Sequence, residues 1–122
     1  MNILVVEDNE LNSDMLIRRL TRLGFTSTLA VDGETGVRLG REQRPDLILM
    51  DLGLPGIDGW EAIEQLKSMP ETREIPIIIL TAQTSSEDRE RAEWAGCAGF
   101  LSKPIDLDLL VAKIRRAGPT KR

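Results

Sequence analysis

Three short apolar runs punctuate an otherwise mixed chain: Ile3–Val6 (ILVV), Leu47–Met50 (LILM) and Ile75–Leu80 (IPIIIL). Each is too short for a helix, is rich in aliphatic and β-branched residues, and is bounded by polar or turn residues. That pattern predicts strands buried on both faces, as in a parallel sheet. Two weaker runs, Thr26–Val31 and Gly99–Leu101, complete a set of five.

Helical patterns fill the intervals. Leu11, Met15, Leu16, Leu20 and Leu23 suggest an apolar stripe, with Gly24 placed as a left-handed C-terminal cap. Asp32 caps a second helix running to about Gly40, well before Pro45. A third begins at Asp58 or Gly59, turns Ile63 and Leu66 inward and stops at Pro70. Ser85 or Ser86 opens a fourth, whose Glu87 and Asp88 suit the helix dipole and which ends at Gly96. Asp106 caps a fifth, with Leu107, Leu110, Val111 and Ile114 on one side. Strict βα alternation with right-handed crossovers predicts a doubly wound α/β domain over residues 1–117, followed by a short frayed basic tail at 118–122.

Composition narrows the function classes. The 122 residues carry 16 basic and 20 acidic side chains, a net charge of −4, which argues against the basic stripe of a nucleic-acid binder. The single cysteine, Cys97, excludes an internal disulfide and reads as a small buried residue rather than a redox sensor. No apolar run approaches the roughly 20 residues of a membrane span, and the N-terminus lacks signal-peptide features, so a cytoplasmic protein is expected. Trp60 and Trp94 are expected to be partly buried, and the run Glu87–Glu93 to be a solvated helix face.

Ligands of open parallel sheets bind beyond the carboxyl ends of the strands. Those ends deliver Glu7 and Asp8 after the first strand, Asp51 after the third, Thr81 and Ala82 after the fourth, and Ser102, Lys103 and Pro104 after the fifth. Taken singly, each is an ordinary turn or capping residue. Together, three carboxylates at one edge repel one another unless a cation or protons offset them. A hard divalent cation suits such a donor set; magnesium takes few carboxylates, keeps waters and bridges to phosphate oxygens. Lys103, the Thr81 hydroxyl and the Ala82 backbone N–H are suited to the phosphate itself, and Asp51 is a candidate phosphoryl acceptor.

The four segments ILVVEDN, PDLILMDLGLPGIDG, IPIIILTA and GFLSKPID, in that order, closely resemble the receiver domain of two-component response regulators. The resemblance covers essentially the whole chain. It implies a (βα)5 flavodoxin-like fold of strand order 2-1-3-4-5 and phosphorylation of Asp51 by a sensor histidine kinase or a histidine phosphotransfer protein. It further implies Mg2+ held by Asp8, Asp51, the Gly53 carbonyl and, largely through water, Glu7, with Lys103 pairing the phosphoryl group and a cis bond to Pro104. Thr81 and Phe100 would form the switch, Gly53 and Gln83 would tune hydrolysis, and the face of the fourth helix, fifth strand and fifth helix would meet a downstream protein. The stretch Glu7–Asn12 looks most like single-domain regulators of the DivK type, or receivers cut from hybrid kinases. Leu54 and Phe100 depart from the Met and Tyr common at those positions.

Two other classes fit less well. A haloacid-dehalogenase-type phosphatase needs a general acid two residues after its nucleophile, where this chain has Gly53. A flavodoxin would meet its flavin phosphate with the repelling carboxylates of Glu7 and Asp8.

Overall fold

The computed structural model describes residues 1–82 and 85–118. Five strands alternate with five helices: β1 (Asn2–Val6), α1 (Glu10–Arg22), β2 (Thr26–Ala30), α2 (Gly33–Gln43), β3 (Leu47–Met50), α3 (Gly59–Ser68), β4 (Ile77–Thr81), α4 (Ser86–Trp94), β5 (Gly99–Ser102) and α5 (Leu107–Ala117). All strand pairs are parallel, in the order β2-β1-β3-β4-β5. The register pairs Val6 with Met50, Met50 with Ile79 and Thr81 with Ser102, which aligns the carboxyl ends of the four strands that carry the candidate site.

The apolar runs are continuous because both sheet faces are covered. Leu4, Val6, Ile48, Met50, Ile77 and Ile79 pack with Ala62, Ile63 and Leu66 of α3 and Ala92 of α4. The alternate positions Ile3, Val5, Leu47, Leu49, Ile78 and Leu80 pack with Leu16 and Leu20 of α1 and Leu110 and Ile114 of α5. Each helix opens on a side-chain cap: Asn9, Asp32, Asp58, Ser85 and Asp106 each accept an N–H from three residues ahead.

Several expectations need correction. On α1 the buried residues are Ser13, Leu16 and Leu20, whereas Leu11 and Met15 are 67% and 61% exposed and Leu23 is also exposed. Leu11 lies nine residues from Leu20, about 180° around the helix. α2 runs beyond Gly40 to Gln43, and Arg44, at φ 45°, ends it directly before Pro45. Its inner face is built from Gly33, Gly36 and Gly40. A Cβ on Gly36 would sit 2.9 Å from Val6, so absent side chains let this helix approach the sheet. Trp94 is 88% exposed: it lies two residues, about 200°, from inward-facing Ala92. Pro76 keeps β4 from starting before Ile77, and β5 extends to Ser102. Of the expected tail, residues 119–122 lie outside the described residues, as does Gln83.

Candidate functional site at the carboxyl edge of the sheet

Backbone ladders bring the acids together. The Glu7 N–H donates to the Ala30 carbonyl at 3.0 Å, and the Asp51 N–H donates to the Val6 carbonyl at 3.0 Å. One carboxylate oxygen from each of Glu7, Asp8 and Asp51 falls within a 4.8 Å cluster. Glu7 is only 5% exposed, Asp51 is also buried, and Asp8 faces solvent.

Lys103 reaches this cluster from the β5–α5 loop. Its Nζ donates to Glu7 Oε1 at 2.8 Å and to Asp51 Oδ2 at 3.2 Å. Its N–H donates to the Thr81 carbonyl at 2.8 Å, and its bond to Pro104 is cis. The remaining Asp51 oxygen accepts the Gly53 N–H at 3.3 Å, and Glu7 Oε2 accepts the Asn9 N–H at 3.1 Å. Gly59 lets the first turn of α3 lie against β3: a Cβ there would collide with the Asp51 carbonyl. The space beyond Gly53 is open. Thr81 is buried, Ala82 is exposed beside it, and Phe100 is half-buried one strand away.

Burial, followed by the nearby charge of Asp51, raises the Glu7 carboxyl above its ordinary 4.5 against the hydrogen bonds from Lys103 and Asn9. Burial works to lower the Lys103 ammonium, but the bond to Glu7 and the charges of Asp51 and Glu7 outweigh it and raise it above 10.5. Three carboxylates face one ammonium, so the cluster has negative charge to spare and only hard oxygen donors. That donor set fits a magnesium ion.

The chain matches the model of the response regulator receiver domain over residues 3–115. It belongs to that family. Among curated proteins, the receiver is 38% identical over 114 residues to the polar-differentiation response regulator DivK of Brucella anthropi, covering 93% of both chains. It is 39% identical over 113 residues to the response regulator PleD of Caulobacter vibrioides, covering 93% of this chain but only 25% of PleD. Among solved structures, the receiver domain of a Pseudomonas aeruginosa sensor histidine kinase is 39% identical, with a TM-score of 0.85 over 97% of this chain and 98% of that one. That structure carries a magnesium ion coordinated in its active-site cleft. The chemotaxis protein CheY4 of Vibrio cholerae superposes with a TM-score of 0.88 at 26% identity, over 95% of this chain and 97% of that one. The fold class read from the sequence is therefore the family's own. Receivers are signalling modules that meet histidine kinases and downstream targets, and they bind Mg2+ in an acidic site of this kind. Among the described residues no helix is long and apolar enough to cross a membrane.

Three features near the site have no signal in the sequence. Arg89 of α4 lies 4.9 Å from the centre of the Phe100 ring, and Arg91 lies 4.6 Å from that of Trp60. A groove of about 690 Å³ runs from Glu7 and Lys103 between α1 and α5, lined by Met15, Leu16, Ile105 and Arg19 among others. Helix-to-neighbour contacts of this sort follow from packing angles, which single-chain periodicity does not contain. Cys97 is half-buried, and burial pushes its thiol up to about 11, so it is protonated at neutral pH.

Proposed function

We propose that this receiver, formed by residues 1–117, is a phosphorylation-controlled binding module in the cytoplasm. An Asp51 carboxylate oxygen attacks the phosphorus of a phosphohistidine on a sensor kinase or phosphotransfer protein. The P–O bond forms as the P–N bond breaks, and the electron pair leaves on the imidazole nitrogen, which takes up a proton. Asp8, Asp51, the Gly53 carbonyl and, through water, Glu7 would hold Mg2+, which offsets charge on the phosphoryl oxygens when bound. Lys103 transfers its hydrogen bonds from Glu7 and Asp51 to the phosphoryl oxygens, and the Thr81 hydroxyl and Ala82 N–H donate to them. Movement of Thr81 and Phe100 then alters the α4-β5-α5 face that meets a downstream protein. Gly53 and Gln83 set how water reaches the acyl phosphate.

The observation that carries this reading is the Lys103 ammonium bonded to two of three clustered carboxylates at the sheet edge. Acetyl phosphate with Mg2+ should give a phosphoryl adduct, seen by intact mass, that is lost without Mg2+ and in Asp51→Ala. An adduct that survives the substitution overturns the reading. Gly53 offers no proton for turnover, so steady hydrolysis of small phosphoesters is not expected and would instead support a phosphatase.

A further inference from the structure

Six of the nine residues of α4 are charged, and the helix buries Ala92 without presenting an apolar stripe to the sheet. Two arginines seat it instead. Arg89 covers the Phe100 ring, and its Nη2 donates to Ser102 Oγ at 3.4 Å. Arg91 covers the Trp60 ring on α3. One arginine therefore grips β5 and the other grips α3.

The two contacts differ in what they touch. Phe100 and Ser102 are two residues apart and share one face of β5. Their ladder partners on β4 are Ile79 and Thr81, and Lys103 follows Ser102 directly. Arg89 thus spans Phe100 to Ser102, the stretch of β5 that leads into Lys103. The ring that Arg91 covers belongs to α3 and not to β5.

We propose that Arg89 is a positioning residue that latches Phe100: it stabilises the ring placement seen here and must release it when Thr81 and Phe100 rearrange around a phosphoryl group. This rests on the switch reading given above and adds the element that resists the switch. A contact made in only one of two arrangements biases the equilibrium between them, and by linkage it biases affinity for the ligand that selects the other. A partly exposed cation–π contact is of a size to change that affinity about threefold. Arg91, by the same logic, holds the helix without holding the switch.

The chain has two phenylalanines, so fluorophenylalanine labelling gives two 19F resonances. Phe25, covered by Arg115 at 5.7 Å and packed in the α1/α5 cluster, serves as the internal reference. Beryllofluoride with Mg2+ stands in for the phosphoryl group, and its bound fluorines report occupancy of Asp51 directly. In the full chain, Arg89→Ala should lower the midpoint for the Phe100 shift about threefold. Arg89→Lys, which keeps the charge but loses the planar stack, should fall between. Arg91→Ala should lower thermal stability as much as Arg89→Ala does and leave the midpoint unchanged. An unchanged or raised midpoint in Arg89→Ala, or an equal drop in Arg91→Ala, overturns the latch. Bound beryllofluoride with an unmoved Phe100 resonance in the wild type overturns the switch and the latch together. No bound beryllofluoride at all overturns the phosphoacceptor reading.

Discussion

Replacing Lys103 with Met keeps the length of the aliphatic stem and removes the charge that two buried carboxylates share. The two pairs are 2.8 and 3.2 Å long, with side-chain exposures of 21% for Lys103, 6% for Glu7 and 10% for Asp51. Breaking a fully buried pair costs about 3–5 kcal/mol, because the surviving charge is left unpaired. The partial exposure of Lys103 reduces this to about 2–3 kcal/mol. At about 4 °C per kcal/mol for a chain of this size, Tm in chelator should fall by about 8–12 °C. Added Mg2+ should then reverse the order of the gain. In the wild type a cation competes with Lys103 for Glu7 and Asp51, whereas in Lys103→Met it meets three uncompensated carboxylates. The variant should therefore bind Mg2+ more tightly and gain more stability from it. Calorimetric unfolding of both proteins in chelator and in a Mg2+ series measures each quantity. Equal Tm values in chelator, or a smaller Mg2+ gain in the variant, would refute the electrostatic account of the cluster.

Other perturbations test other parts of the molecule. Because the Glu7 carboxyl is raised in the folded chain, its contribution to stability is present below pH 4.5 and is lost as pH rises through the raised folded-state value; Glu7→Gln should flatten that part of a pH series of thermal unfolding, and an unchanged slope would count against it. Gly59→Ala drives a Cβ into the Asp51 carbonyl and should cost more than about 3 kcal/mol by urea unfolding, while Gly53→Ala, which meets nothing within 4 Å, should change stability by less than about 0.5 kcal/mol. Similar midpoints for the two would remove the steric argument. Trp94→Ala should leave stability within about 0.5 kcal/mol of wild type and leave emission from half-buried Trp60 shifted to the blue; a cooperative loss would show that Trp94 packs in solution.

Strand identity was legible because a parallel sheet covered on both faces requires uninterrupted apolar residues, and ILVV, LILM and the core of IPIIIL have no other economical use. Caps were legible because their chemistry is local: Asn9, Asp32, Asp58, Ser85 and Asp106 each bond within their own first turn. The helix faces were less so. On α1 a small polar residue, Ser13, takes an inward slot while Leu11 faces outward and Met15 lines a groove, so hydrophobicity and burial part company. On α2 the inward residues are glycines, which carry no hydrophobic signal at all. Trp94 shows the same failure in reverse, a large aromatic ring on a helix with no apolar side to place it.

What the sequence determined by itself was the alternation of elements, and hence the sheet edge on which Glu7, Asp8, Asp51, Thr81 and Lys103 must lie, since βα crossovers are right-handed and every parallel strand delivers its carboxyl end to the same side. Only the tertiary structure decided which of those groups bond to each other. Lys103 is 96 and 52 residues from its two partners, and no local rule specifies that its Nζ bridges Glu7 and Asp51. The same holds for Arg89 on Phe100, where a surface helix and an edge strand meet at a distance set by the packing of everything beneath them.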